Sequence, residues 1–222
     1  MADYSATRDR VEQYFDRSAT KVWERLTSDA PVSRIRQTVR EGRDKMRAVM
    51  LGRLPSDLRG ARVLDAGCGA GQMTAELAAR GADVTAVDIS PALVEIARSR
   101  LPQDLSHRVT FATGDMTAAH HGTFDYVLAM DSLIYYDTTD IAASLDRLGS
   151  RTRQAVVFTV APRTPFLMVF WTMGKAFPRA DRSPIMVPHA FDTLKTATGG
   201  RLSKIERVSR GFYISECLEY RP

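Results

Sequence analysis

An open α/β sheet, mostly parallel, with a C-terminal antiparallel hairpin and an N-terminal helical arm, is the fold class this sequence predicts. A short apolar strand, Arg62–Ala66, runs into a glycine turn at Gly67–Gly71 and then into a helix. A second strand–helix unit follows at once, and near the end two alternating segments flank Gly211. Strands separated by helices lie parallel through right-handed crossovers, whereas a tight turn joins antiparallel neighbours.

The arm comes first. Val11, Tyr14, Phe15, Ala19, Val22 and Leu26 recur at steps of three and four, which places them on one helix face. After the Ser28–Asp29–Ala30–Pro31 break, Ile35, Val39, Gly42, Met46 and Val49 repeat that spacing. Arg36, Arg40, Arg43 and Arg47 form a second stripe rotated about 100° from the first. Gln72 to Arg80 reads as a helix stopped by Gly81, Asp83 to Asp88 as the second strand, and Pro91 to Leu101 as the next helix. Val109–Ala112, Tyr126–Ala129 and Ala155–Val160 extend the strand series. Leu202–Val208 and Phe212–Glu219 supply the hairpin. Residues 1–59 are thus expected to form the arm, or lid, and residues 60–222 the core.

At 222 residues the chain suits one domain with an elaboration. Its two cysteines, Cys68 and Cys217, form no C-x-x-C pair, so neither a thiol-ligated zinc site nor a disulfide scaffold is expected, and no protein-bound metal. Met1 to Arg10 is polar, with no apolar stretch of a signal peptide, which fits a cytoplasmic location. The apolar run Phe166–Gly174 falls short of the roughly 20 residues of a membrane-spanning helix, leaving contact at the membrane surface open. Net charge is +5 but uneven: +4 over residues 1–60, −6 over 61–150 and +7 over 151–222. No nucleic-acid motif accompanies the basic flanks, so a nucleic-acid partner is not expected. The flanks suit an acidic small molecule, an anionic surface, or simply solvent.

In open parallel sheets a ligand sits at the carboxyl ends of the strands, where strand order reverses. Val63-Leu64-Asp65-Ala66-Gly67-Cys68-Gly69-Ala70-Gly71 places three glycines at alternate positions, where a ligand can approach backbone unobstructed. Gln72 stands where the dinucleotide fingerprint G-x-G-x-x-G has its last glycine, and Asp65 precedes the turn. A carboxylate there repels phosphates and suits an ammonium group, directly or through water. A nicotinamide dehydrogenase is accordingly disfavoured.

With these motifs, residues 60–160 resemble the class I S-adenosylmethionine-dependent methyltransferases. The resemblance implies S-adenosyl-L-methionine as co-substrate, with Asp65, Ala66, Gly67 and Gly69 lining its methionine part. It implies that Asp88, ending Val84–Asp88, accepts from the ribose hydroxyls, and that Ile89 packs on the adenine. Asp115 would accept from the adenine amino group beside Met116. Phe124–Asp131 is similar to the fourth-strand motif, whose end, at Met130, faces the transferable methyl. Cys68 reads as a small loop residue and Asp125 as the start of its strand.

The flanks narrow the resemblance. Tyr14–Ala19, Trp23–Asp29, Val32–Arg36 and Val39–Arg43 resemble the arm of the magnesium-protoporphyrin IX O-methyltransferases, especially those of the bacteriochlorophyll pathway, and Val208–Ser215 resembles their ending. The implied acceptor is a propionate carboxylate of magnesium protoporphyrin IX, with magnesium chelatase as an implied partner. Such a disc needs apolar walls and cationic anchors. Tyr14, Phe15, Trp23, Phe166, Phe170 and Trp171 offer the walls, and Arg36, Arg40, Arg43 and Arg47 the cations. Chlorophyll-pathway relatives carry a histidine after the fourth strand where Leu133-Ile134-Tyr135-Tyr136 stands here. Tyr14 and Tyr135 are therefore expected to orient the reacting oxygen, and His189, after Pro188, to be structural. The competing readings are a methyltransferase acting on another hydrophobic acid or quinone precursor, and a non-catalytic porphyrin carrier.

Overall fold

The structure is a computed structural model and describes residues 4–14, 33–168, 172 and 186–222. Phe15, Trp23, Phe170, Trp171, the Ser28–Pro31 break and the continuation of the first helix past Tyr14 lie outside those residues.

Helix α1 spans Tyr4–Tyr14 and α2 spans Arg34–Leu51. Strand β1 (Arg62–Ala66), α3 (Gln72–Ala79), β2 (Asp83–Asp88), α4 (Pro91–Arg100) and β3 (Val109–Thr113) form the first half of the core. The second half contains β4 (Phe124–Ala129), α5 (Thr138–Gly149), β5 (Thr152–Pro162), β6 (Pro188–His189), α6 (Phe191–Ala197), β7 (Leu202–Arg210) and β8 (Tyr213–Tyr220). The sheet order is β3-β2-β1-β4-β5-β8-β7, with β6 pairing to the far end of β5. Pairs from β3 through β5 are parallel, while β8 runs antiparallel to β5 and β7. The order in which successive strands are added reverses between β1 and β4, so the crevice expected from the sequence opens there.

Strand alternation divides the core between two faces. Val63, Val84, Val157 and Cys217 pack with Met46 and Met50 of α2 and Leu77 of α3. Leu64, Val87, Val127 and Phe158 pack with Ile141, Leu145 and Leu148 of α5 and Leu194 of α6. Met46 and Met50 are wholly buried, so α2 is part of the core packing although its sequence lies within the arm. Its glycine explains how close it comes: a Cβ on Gly42 would stand 2.6 Å from the ring of Tyr213 on β8.

Helix starts follow local chemistry. Ser33, Ser90 and Asp137 cap α2, α4 and α5 by accepting from the backbone N–H three residues on. Helices α5 and α6 and the two-residue β6 were not among the elements expected from periodicity, and β5 is longer than expected at both ends. Among the described residues no helix is long and apolar enough to cross a membrane.

Candidate active site

The carboxyl ends of β1, β2 and β4 and the face of α1 enclose one cleft of about 1040 Å³, open to solvent. Its floor is the glycine loop. Gly67, Gly69 and Gly71 adopt φ of 84°, 52° and 83°, left-handed values that L side chains rarely take. A Cβ on Gly67 would strike Ser132 at 2.5 Å, whereas Gly69 has nothing within 4 Å of that point. Bare backbone at Gly69 thus faces the cleft, as a closely approaching ligand requires.

Two carboxylates flank the loop. Asp88 accepts from Gly69 N at 2.8 Å through Oδ2 and from Ser90 N at 2.9 Å through Oδ1. An ionised carboxylate is acceptor-only, with about four lone-pair sites over its two oxygens, the type of group that hydroxyl donors require. Asp65 is 2% exposed and accepts from Thr74 Oγ1 at 2.5 Å. Burial, reinforced by the negative charge of Asp88, pushes its carboxyl up to about 7. Burial also pushes the Cys68 thiol up, aided by both carboxylates, so it stays protonated and unreactive.

Asp115, past β3, meets α1. Its Oδ1 accepts from Thr117 N at 2.7 Å, Thr117 Oγ1 at 2.8 Å and Tyr4 Oη at 2.9 Å. The Tyr4 ring stacks on Tyr136 at 5.0 Å between centroids, with the Arg147 guanidinium 5.3 Å over its face. Tyr4, Arg8 and Val11, spaced four and three along α1, all line the cleft. Tyr4 and Arg8 were not singled out from the sequence, and Val11 was read only as part of an apolar helix face, although the spacing of all three was a legible signal for one face.

Of the expected cofactor residues, Asp65, Gly67, Gly69, Asp88, Ile89, Asp115, Met116 and Met130 line this cleft. Ala66 does not. Strand alternation turns its side chain into the core with Leu64 and Val127, and its carbonyl accepts from Ser132 Oγ at 2.9 Å. Tyr135 lines the cleft, and burial, with Asp131 nearby, pushes its phenol well above the usual range. Tyr14 ends α1 outside the lining, yet its phenol is near enough to add to the Tyr135 shift.

The arginine stripe divides. Arg43 and Arg47 line the cleft, while Arg36 and Arg40 do not, because they sit on the earlier turns of α2. Arg47 pairs with Glu76 at 2.6 Å and Asp44 at 2.8 Å, and Arg43 pairs with Asp131. Arg8 contacts Asp9 at 2.8 Å and Asp115 at 3.8 Å. Every cation lining the cleft therefore faces a carboxylate. Phe166 is 46% exposed and not in the lining. His189 is buried, with Nε2 donating to the Tyr136 carbonyl at 3.0 Å and Nδ1 facing Thr138 Oγ1 at 3.2 Å. Both ring nitrogens are engaged, leaving neither for an axial metal contact.

Comparison with known proteins agrees with this geometry. Residues 63–154 match a family model described as a methyltransferase domain, and residues 129–222 match one described as the magnesium-protoporphyrin IX methyltransferase C-terminus. The crystal structure of magnesium protoporphyrin IX methyltransferase from Synechocystis with bound SAH has a TM-score of 0.81 and 28% identity, covering 97% of this chain and 100% of that one. A magnesium-protoporphyrin O-methyltransferase of Synechocystis is 30% identical over 94% of each sequence. The Rhodobacter capsulatus protein of the same description is 64% identical over 100% of this chain and 99% of its own. With identity at that level running from the arm through the last strand, the chain belongs to the magnesium-protoporphyrin O-methyltransferase family.

Proposed function

We propose that this protein transfers a methyl group from S-adenosyl-L-methionine to a propionate carboxylate of magnesium protoporphyrin IX, giving the monomethyl ester, in the route to (bacterio)chlorophyll. The observation that carries this reading is the cleft at the β1/β4 switch point, held in a chain related along its whole length to enzymes of that description.

When bound, the co-substrate supplies a methyl group on a sulfonium cation. On this reading Asp88 accepts from the ribose hydroxyls, while Asp65 attracts the amino end above the bare backbone of Gly67 and Gly69. Asp115, fixed by Thr117 and Tyr4, takes the adenine amino group, with Ile89 and Met116 packed on the ring. Met130 marks the end of β4, where the methyl emerges.

A propionate resembles a glutamate side chain, ionised at neutral pH with a pKa near 4.3, so the chain has no proton to remove from it. Its work is to position the oxygen and exclude water. Because cation and anion cancel as the bond forms, a dry pocket favours the transfer. Tyr135 stays protonated across any assay range and so acts as a donor that orients the carboxylate, with Tyr14 behind it. On this reading Arg36 and Arg40, outside the cleft, meet the distal propionate of a wide disc, while Arg43 and Arg47 form its charged wall. Residues 1–59 would act as the arm, and α1 is the part that reaches the cofactor region.

The test is ester formation by purified protein with both substrates, read by mass spectrometry, beside a visible-absorbance titration with the porphyrin. Porphyrin binding without ester would make the protein a carrier. Ester formation on a quinone precursor, with no porphyrin spectrum, would assign another acceptor. The same reading places the protein in the cytoplasm, receiving its substrate from magnesium chelatase and touching membrane through exposed apolar side chains such as Ile35 and Phe212. Vesicle sedimentation and chelatase pull-down test those contacts.

A further inference from the structure

Asp131 stands apart in the backbone. It is the non-glycine residue with positive φ, 55°, among the described residues, and such an outlier needs surroundings that hold it. Three elements do so. Arg43 of α2 donates through Nη1 to Oδ2 at 2.5 Å, and Tyr213 of β8 donates to Oδ1 at 3.1 Å. Thr159 of β5 accepts from Asp131 N at 2.7 Å and donates back to Oδ1 at 3.1 Å. The side chains of Arg43 and Asp131 are 16% and 8% exposed, so the pair is shielded from solvent. The neighbouring position serves the same arrangement, since only a glycine at 42 lets the Tyr213 ring lie against α2.

The location gives this ion pair chemical meaning. Asp131 follows Met130 past the end of β4, and both line the cleft with Arg43 and Tyr135. A guanidinium free at that point would grip the incoming carboxylate by charge-assisted hydrogen bonds, roughly twice as strong as neutral ones. That grip is strongest on the anion and is lost as the neutral ester forms. It would stabilise the bound substrate more than the transition state and slow the step.

We propose that Asp131 is a positioning residue for methyl transfer: it locks Arg43 into an ion pair and so keeps a cation off the nucleophilic propionate oxygen, leaving hydroxyl groups to orient it. This rests on the carboxylate acceptor assigned above. The strained backbone follows from the role, because the left-handed turn aims the carboxylate back at α2.

The experiment compares wild type with Asp131→Asn, Arg43→Met and the double variant, measuring kcat and KM for magnesium protoporphyrin at saturating S-adenosylmethionine. Asparagine tolerates the left-handed conformation as aspartate does and keeps an acceptor for Thr159 and Tyr213, while releasing Arg43. Asp131→Asn should lower kcat about 10- to 100-fold with KM unchanged or reduced. Adding Arg43→Met should restore at least about tenfold of that loss, since the stray cation is gone. A merely structural pair would show no such rescue. Asp131→Asn at wild-type turnover, or a double variant no faster than Asp131→Asn, overturns the proposal. If the single variant does not fold, the double decides, because neutralising both partners leaves no uncompensated buried charge. A folded, S-adenosylmethionine-binding double variant below about a tenth of wild-type turnover overturns the proposal, and one at about a tenth or above supports it. Wild-type protein that forms no ester would refute the acceptor assignment instead.

Discussion

Replacing Asp65 by asparagine should abolish a pH dependence of S-adenosylmethionine binding that the wild type displays. The carboxyl is pushed from 3.8 to about 7, first by burial and then by Asp88, against the opposing hydrogen bond from Thr74. A cation settling beside it requires the ionised form, so below pH 7 binding must expel a proton, and affinity falls tenfold for each further unit. From pH 7.5 to 5.5 the loss is about 25-fold, or about 2 kcal/mol, all of it below the titration of an α-amino group near 8. Calorimetry in buffers of different ionisation enthalpy counts the proton directly: about 0.9 should leave per molecule bound at pH 6. The sign for folding is the reverse. A raised carboxyl stabilises the ligand-free fold below about pH 4, and that contribution disappears as pH rises through about 7. Asp65→Asn should therefore raise the melting temperature of the ligand-free protein at pH 8 while weakening binding there. Wild-type affinity that is flat across this range, or a slope that survives in Asp65→Asn, would refute the assignment of Asp65 to the amino end.

Asp88→Ala should weaken S-adenosylmethionine by at least about 1.5–3 kcal/mol, the scale of hydrogen bonds to a charged acceptor, and unchanged affinity in calorimetry would remove Asp88 from the ribose. Tyr135→Phe should lower turnover about 10- to 100-fold, with a mutant-to-wild-type ratio constant from pH 6 to 8, since the buried phenol does not titrate there. A ratio that changes with pH would restore a general-base role. Gly67→Ala should cost at least about 2 kcal/mol, or about 4–8 °C in melting temperature for a chain of this size, because a methyl group there meets Ser132 at a strained φ; an unshifted melt would mean the loop relaxes freely.

The core halves of the site were legible because buried parallel strands read as apolar runs and glycines punctuate them. Asp65 and Asp88 could be placed because each ends or nearly ends such a run beside the switch point. Helix α5 was missed although its signals were present: Asp137 as cap and Ile141, Leu145 and Leu148 at steps of four and three. The partners of the arginine stripe could not be read. A helix face displays its cations and the local pair of Arg47 with Asp44, but Glu76, the other partner of Arg47, and Asp131, the partner of Arg43, stand 29 and 88 residues away, on α3 and past β4. The same limit hid Tyr4, whose contact with Asp115 spans 111 residues, and β6, whose two residues carry no periodicity.

The hydrogen bond from Tyr4 to Asp115 joins α1 to the region assigned to the adenine, and thermodynamics makes that junction symmetric. Whatever factor the docked helix adds to the affinity of a ligand in the cleft, the ligand adds to the docking of the helix. Hydrogen exchange along α1 is then a gauge of cleft occupancy. A substitution on the outer face of α1 can change apparent cofactor affinity without approaching the cofactor, through its effect on how often the helix is seated.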